Sequence, residues 1–291
     1  MCNFADDTTL NACDLELRNI LNELEDNALT AILWFESNYM KLNQSKCHFL
    51  TSGSTEHLWV KVGNEIIWES LSEKLLGLTV HKNLNFNLHL KTLCKKVNQK
   101  VSALARVVRL LPFQKRHLIL KTFIESQFSY CPLVWMFCSS QMNDKINHIH
   151  ERALRLVYQD YTSSFQDLLK KDGSLTFHHR NIHQVAIEMF KVKHNLSPPF
   201  MQELFTYTSN DKGTRSGDTF ARPNVKSVYK GDQSLRCFGP IVWNDMLPER
   251  LKLCESLSEF KCQIKSWKPE NCPCRLCKTY IQGLGYTNVV E

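Results

Sequence analysis

Two adjacent carboxylates near the start of the chain are the residues whose type and spacing best suit metal chemistry. Asp6 and Asp7 stand between two short β-prone runs, 2–4 and 8–10. Side chains of neighbouring strand residues point to opposite faces, so both carboxylates can share one site only at a turn. Like charges this close repel unless a cation neutralises them, and hard carboxylate oxygens suit Mg²⁺. The sequence therefore predicts a strand, a metal-binding turn and a second strand, with a solvated hairpin tip as the alternative.

Three thiols near the other end of the chain form a second candidate metal site. They are spaced Cys272-x-Cys274-x₂-Cys277, and closely spaced thiolates are typical ligands of Zn²⁺. A fourth ligand is missing from the cluster, because the last third of the sequence contains no histidine. Either Cys254 or Cys262 would have to return to the site to complete it.

Two histidines offer a third possibility. His179 and His183 are four residues apart in a segment that is predicted to be helical, and this spacing places both rings on one face. No acidic residue or cysteine lies near them in the sequence. A buried or capping histidine is therefore the expected role for both.

The apolar pattern predicts the elements that position the acidic pair. From Asp14, the expected N-cap, apolar residues recur at helical spacing until the helix ends near Tyr39. Short β-prone segments separated by Gly and Ser turns follow. The predicted strands are 47–51, 58–62, 65–68 and 75–80.

A basic helix is predicted next. Apolar residues recur every three or four positions between Leu90 and Leu111. Six basic residues lie on the other side of this helix, four of them opposite the apolar stripe and two flanking: Lys91, Lys95, Arg106, Arg109, Lys96 and Lys100. Between Lys82 and Ile124 there are ten Lys or Arg residues and no Asp or Glu. A helix face of one sign indicates a phosphate backbone as partner, with a merely solvated face as the alternative.

The rest of the chain is predicted to be mostly helical. Pro112 ends the basic helix, and an apolar helix over 114–130 stops before Pro132. A third helix carries an apolar stripe from Met142 to Leu156, and further helices are expected over 161–208. These helices are expected to pack into one bundle.

Composition and charge limit the class of protein. The chain has 291 residues, of which 43% are hydrophobic, as in globular proteins. No run approaches the ~18 apolar residues of a membrane span, and no secretory leader is evident, so reduced cysteines and an intracellular location are expected. The first 40 residues contain eight acidic residues and one basic residue, whereas the remainder contains 21 and 35. An acidic head followed by a basic body suits an enzyme that handles polyanions.

Several motifs together resemble the reverse transcriptases of non-LTR retrotransposons, the LINE-like elements of jockey and CR1 type. Phe4-Ala5-Asp6-Asp7-Thr8 is similar to the aromatic-Ala-Asp-Asp turn of their palm domain, although Tyr is commoner than Phe at the first position. The resemblance spans nearly the whole chain, and its specific motifs lie mostly in the first 90 residues. Further similar segments are Trp34-Phe35, Met40-Lys41-Leu42-Asn43, Lys46-Cys47, Lys74-Leu75-Leu76-Gly77-Leu78, Glu151–Arg155 and Ser234–Pro240.

The resemblance implies roles for individual residues. Asp6 and Asp7 match the Mg²⁺ ligands, and Lys46 matches a lysine that is thought to protonate the leaving pyrophosphate. Lys74 and Gly77 match the segment that grips the primer, and the basic helix matches the thumb that holds an RNA template with its DNA primer. Retroelement enzymes often carry a zinc knuckle near the C-terminus, but the Cys-Cys-His-Cys pattern of that knuckle is not kept here.

The resemblance also implies an α+β fold in four parts. These are the C-terminal part of a palm (1–85), a helical thumb (86–160), a helical C-terminal region (161–268) and a Cys-rich tail (269–291). The family uses a further palm Asp and fingers residues that are expected on a missing N-terminal half, so the fragment is expected to be inactive alone. A noncatalytic nucleic-acid-binding protein and a decayed mobile-element remnant remain as alternatives.

Overall fold

The computed structural model describes most of the chain as a mixed α+β protein in which helices predominate. Within the described residues, the strands are short and form two-stranded antiparallel sheets. The chain divides into two compact units, Met1–His89 and Leu90–Glu291. The described residues are 2–54, 56–208, 219–225 and 234–269, together with Cys272, Cys274 and Leu276.

The first unit begins with a hairpin and a long helix. Strand β1 (Cys2–Phe4) pairs with β2 (Asp7–Thr9), and helix α1 follows over Leu17–Ser37. The prediction of Asp14 as the N-cap was wrong, because the cap position is Glu16. The Asp14 carboxylate instead accepts the backbone N–H of Glu16 at 2.8 Å, a local turn that forms just before the helix.

Two further hairpins complete the first unit. Strands β3 (Trp59–Val62) and β4 (Glu65–Trp68) form one pair, and β5 (Ser72–Leu75) and β6 (Leu78–His81) form the other. Phe49, Leu58 and Val60 form a small core in this unit. Three leucines of helix α1 pack against it: Leu17, Leu21 and Leu24. None of the described strand pairs joins another pair into a wider sheet.

Two strand predictions in this unit were wrong. Residues 47–51 form no strand, and their pairing is a single parallel bridge from Phe49 to Glu69. The predicted strand 75–80 is interrupted by a two-residue turn, because Leu76 and Gly77 both have positive φ, 45° and 88°. Positive φ at both central positions is typical of a tight hairpin, so the chain reverses where a continuous strand was expected.

The second unit is mostly helical, as the sequence predicts, although Tyr207–Thr208 forms a strand inside the range 161–208 that was expected to be helical. Helix α2 (Asn87–Val107) begins just before this unit and ends before Pro112, with a 3₁₀ turn over Val108–Leu110 in between. The other long helices are α6 (Ser140–Tyr158) and α8 (Phe177–Lys193), with α7 (Phe165–Asp172) between them. The predicted helix 114–130 is observed as α3 (Phe113–Ile119), a π-helical stretch over Leu120–Glu125 and α4 (Ser126–Phe128). The shorter elements are α5 (Pro132–Trp135), α9 (Pro199–Glu203), β7 (Tyr207–Thr208), β8 (Thr219–Phe220), α10 (Leu235–Ile241), a π-helical stretch over Val242–Met246, α11 (Glu249–Lys252) and α12 (Leu257–Gln263).

Helix α8 forms the centre of the main core. Gly173, at φ 65°, ends α7, and the Thr176 hydroxyl caps α8 by accepting the backbone N–H of His179. The apolar side chains of α8 pack against the C-terminal helices, with Phe190 stacked on Phe260 at 4.5 Å between ring centroids. Helix α8 therefore packs against residues that follow it in the sequence by 50 or more positions.

Within the described residues, no helix has both the length and the apolar character needed to cross a bilayer.

Candidate functional site

The acidic pair lies at the turn that the sequence predicts. Phe4 pairs with Asp7, so Ala5 and Asp6 form a two-residue loop, and Ala5 adopts a left-handed φ of 53°. Asp7 is the first residue of β2, and both carboxylates are exposed to solvent. The prediction of strand, turn and strand is confirmed, and the metal remains a prediction.

The ligand set at this turn is small. Among the described residues, Asp6 and Asp7 belong to no group of three or more close metal-ligand side chains. Mg²⁺ is commonly held by one or two carboxylates together with substrate phosphates. An exposed pair of carboxylates can therefore supply part of a Mg²⁺ site, provided that phosphate oxygens complete it.

The other palm residues named from the resemblance are all on the surface. Lys46 ends a 3₁₀ turn over Gln44–Lys46 and is exposed. Lys74 lies in β5 opposite Thr79, and Gly77 occupies the following turn. Gly77 therefore has a conformational role in closing the β5–β6 hairpin, whatever it contacts.

Helix α2 presents the basic face that the sequence predicts. Its buried residues are Leu90, Cys94, Val97, Val101 and Leu104. Four exposed basic residues lie on α2, namely Lys91, Lys95, Lys96 and Arg106, and a fifth, Arg109, lies on the 3₁₀ turn over Val108–Leu110 that follows it. These residues together with Lys100 are called the α2 face. In the described part of the chain, no ion pair joins any of the five exposed residues to an acidic side chain.

Lys100 differs from the other five basic residues. Its Nζ donates to the Phe123 carbonyl at 3.1 Å and lies 5.9 Å from the centre of the Phe123 ring. Burial and the neighbouring charge of Lys96 lower the pKa of Lys100. Lys100 therefore contributes to packing between helices as well as to the charge of the face.

The structure adds one cation that the sequence could not place. Arg152 of α6 donates to the Ser102 hydroxyl at 3.3 Å. Ser102 follows Lys95 by seven residues and precedes Arg106 by four, so it lies on the same stripe of α2. The exposed guanidinium of Arg152 thus extends the basic face onto a second helix.

A buried group of metal-ligand side chains lies in the second unit. His178 Nε2 is 3.2 Å from Cys274 Sγ, and ligand atoms of His178, Cys272 and Cys274 all lie within 4.8 Å of one another. His178 and Cys272 are 7% and 3% exposed. One imidazole and two sulfur ligands make this a group that can hold a metal ion. Cys277, the third thiol of the predicted cluster, lies outside the described residues.

The remaining candidate ligands have other surroundings. Cys254 Sγ donates to the Arg250 carbonyl at 3.9 Å, and Cys262 is exposed, so neither belongs to the group. His183 is hydrogen-bonded through Nε2 to the Trp267 carbonyl at 2.8 Å and stacks on the Trp267 ring. His183 is therefore a buried structural histidine, as expected. Burial and the neighbouring His178 and His183 lower the pKa of His179 to about 4.

A buried charge network joins four helical segments of the second unit. Glu125 accepts hydrogen bonds from Arg180 at 2.6 and 3.2 Å, and its contact with His150 Nε2 is 3.3 Å. Lys121 bridges Glu125 to Asp172 at 3.1 and 2.8 Å. Burial by itself raises the pKa of Glu125, but the hydrogen bonds from His150 and Arg180 lower it well below its ordinary value. These paired charges hold helices together and leave no evident ligand site.

Comparisons with known proteins identify no relative. No protein-family model, no curated protein and no solved structure matches this chain.

Proposed function

We propose that this chain is the C-terminal part of the reverse transcriptase of a non-LTR retrotransposon, an RNA-directed DNA polymerase. The proposal rests on the motif resemblance, and the order of elements is compatible with it. An acidic hairpin turn is followed by a helix, short hairpins and a long basic helix. The observation that supports it most directly is the exposed face of one sign on α2.

The α2 face suits a nucleic-acid duplex in length and charge. From Lys91 to Arg109 the helical rise is roughly 27 Å. Over this length each strand of a duplex carries about eight phosphates. Side chains spaced along the face can therefore reach several different phosphates of the duplex. The proposed role of the face is to hold the RNA template paired with its DNA primer.

The palm part of the proposal concerns the acidic turn. A pair of three-residue strands is marginally stable in water, so the β1–β2 hairpin is expected to join the sheet of a complete polymerase palm. Asp6 and Asp7 would hold Mg²⁺, which would supply Lewis-acid chemistry at the primer hydroxyl and at the leaving oxygens. Lys46 would protonate the leaving pyrophosphate, and Lys74 with the Gly77 turn would contact the primer. Such an enzyme works in the nucleus or cytoplasm.

For the thiol group of the second unit we propose Zn²⁺. Imidazole and thiolate ligands suit Zn²⁺, whereas Mg²⁺ prefers oxygen. The two proposed metals therefore differ in ligand chemistry as well as in location.

A second candidate is a noncatalytic nucleic-acid-binding protein. It is favoured by the exposure of Asp6 and Asp7 on an isolated hairpin, since no third ligand accompanies them among the described residues. A decayed remnant without function is the third possibility.

Binding to an RNA/DNA primer–template across salt concentrations tests the α2 face. The test variant changes Lys91, Lys95, Arg106 and Arg109 to Ala. The control variant changes two exposed lysines and two exposed arginines on other helices, Lys170, Lys261, Arg236 and Arg250, to Ala. Each phosphate contact contributes about 0.9 to the slope of log K against log salt, so the test variant should flatten the slope by about 3–4 units. Equal effects of the two variants would show that net charge, and not the α2 face, drives binding.

A parallel primer-extension assay separates the candidate functions. It is run with Mg²⁺ and nucleotides, using the chain alone and with an N-terminal reverse-transcriptase half added in trans. Extension that Asp6→Asn and Asp7→Asn abolish is the result expected of a polymerase. Binding without extension in either arm supports the noncatalytic protein. A folded chain that binds no nucleic acid contradicts both.

A further inference from the structure

We propose that His178, Cys272 and Cys274 form a structural zinc site that fastens the C-terminal segment to the beginning of α8. The ligands come from two parts of the chain that are 94 residues apart, so this is a tertiary cross-link and not a contiguous knuckle. The proposal does not depend on polymerase activity.

The distances fit a tetrahedral zinc ion. With Zn–S near 2.3 Å and Zn–N near 2.1 Å, tetrahedral geometry requires about 3.6 Å between sulfur and nitrogen ligands and about 3.8 Å between two sulfurs. The observed separation of Cys274 Sγ from His178 Nε2 is 3.2 Å, and the whole group lies within 4.8 Å. The separations therefore differ from those of a tetrahedral site by at most about an ångström, a change that side-chain rotation can supply.

The surroundings of the imidazole also point to a ligand. His178 is 7% exposed, so its imidazole is largely removed from water. Its Nε2 is directed at the Cys274 sulfur. A buried imidazole nitrogen whose hydrogen-bond partner among the described residues is a thiol is costly, because neutral S–H groups form weak hydrogen bonds. A zinc ion replaces that weak contact with a coordinate bond as the thiols lose their protons.

The position of the group indicates a structural site. Cys272 is part of the main apolar core, and Cys274 packs against that core. The contact between His183 and Trp267 already brings the chain back to α8, five residues further along the helix. Zinc at His178 would add a second attachment about one helical turn away. These three ligands leave one tetrahedral position for a fourth ligand, and the burial of His178 and Cys272 against the core favours a structural role.

The test measures zinc content and stability in the full-length chain. Chain purified without metal and with reductant is titrated with Zn²⁺, and bound zinc is counted by elemental analysis. One zinc per chain is expected, with a urea midpoint that rises with zinc concentration. His178→Gln, Cys272→Ser and Cys274→Ser should each lose stoichiometric zinc and the zinc-dependent rise. The matched controls, His179→Gln and Cys262→Ser, should retain both.

A second measurement covers variants that fail to fold. In the unaltered chain, added Zn²⁺ should shift the NMR signals of the His178 ring nitrogens while the His183 signals stay in place. A folded chain that binds no zinc would overturn the proposal. So would full zinc binding by His178→Gln, or an unshifted His178 signal in the zinc-bound chain.

Discussion

Removing the Glu125 carboxylate tests whether burial decides the strength of an ion pair in this fold. Glu125→Ala deletes the acceptor of two hydrogen bonds from Arg180 and of the contact with His150. His150 is 0% exposed, and the Arg180 side chain is 28% exposed. The variant leaves both groups without their carboxylate in a site that water reaches poorly.

The expected loss follows from that desolvation. Breaking a buried ion pair by removing one partner costs about 3–5 kcal/mol, because the remaining charge keeps its desolvation penalty. Glu125→Gln keeps the shape and one acceptor oxygen, so we expect a smaller loss of about 1.5–3 kcal/mol, the range for a hydrogen bond to a charged group. Against a total stability of about 5–15 kcal/mol, the alanine variant should be severely destabilised.

Glu151→Ala is the matched control. The Glu151–Arg155 pair has the same 2.6 Å separation as the Glu125–Arg180 pair, but the Glu151 side chain is 23% exposed and that of Glu125 is 6% exposed. A pair four residues apart on a helix surface contributes about 0.3–0.5 kcal/mol. Urea unfolding followed by circular dichroism measures all three variants. Equal losses for Glu125→Ala and Glu151→Ala, at unchanged m-value, would refute the argument from burial.

Two further predictions concern acid stability and the β5–β6 turn. Burial lowers the pKa of His150 below its ordinary 6.5, so the unfolded chain binds a proton at a higher pH than the folded chain does. The free energy of unfolding should therefore fall as the pH drops below about 6.5. The lowered pKa of Glu125 adds a further loss of stability below about pH 4.5. Urea midpoints between pH 8 and 4 measure this, and a midpoint that rises in acid would contradict it. Gly77→Ala places a Cβ at φ 88° and should destabilise the first unit by about 1–2 kcal/mol. Lys74→Ala, at an exposed position of the same hairpin, should change stability by less than about 0.5 kcal/mol. If Gly77→Ala and Lys74→Ala change the thermal unfolding temperature equally, backbone strain at Gly77 is not the cause.

Local patterns predicted much of the helical architecture. The apolar stripe of α2 is buried much as its spacing predicts, although Cys94 is buried where Leu93 was expected and Leu93 is only half-buried. The stripe of α6 from Met142 to Leu156 is buried throughout. Helical periodicity is a local property, so a single sequence is sufficient to read it.

Strand boundaries were predicted less well. The turn at Leu76–Gly77 was missed because leucine seldom adopts positive φ, and Gly77 was the one local signal for it. Residues 47–51 have the composition of a strand, but only Phe49 forms a bridge. Strand formation depends on a partner that local composition does not specify.

For the candidate sites, the sequence by itself determined the acidic turn, the basic face of α2 and the two closely spaced cysteines of the described C-terminal segment. Each depends on residues that are neighbours along the chain or along one helix. Only the tertiary structure decided that His178 meets Cys272 and Cys274, that Arg152 joins the α2 face, and that Glu125 is buried among cations. These contacts join residues 25 to 96 positions apart, and packing of the helices, not spacing in the sequence, brings such residues together.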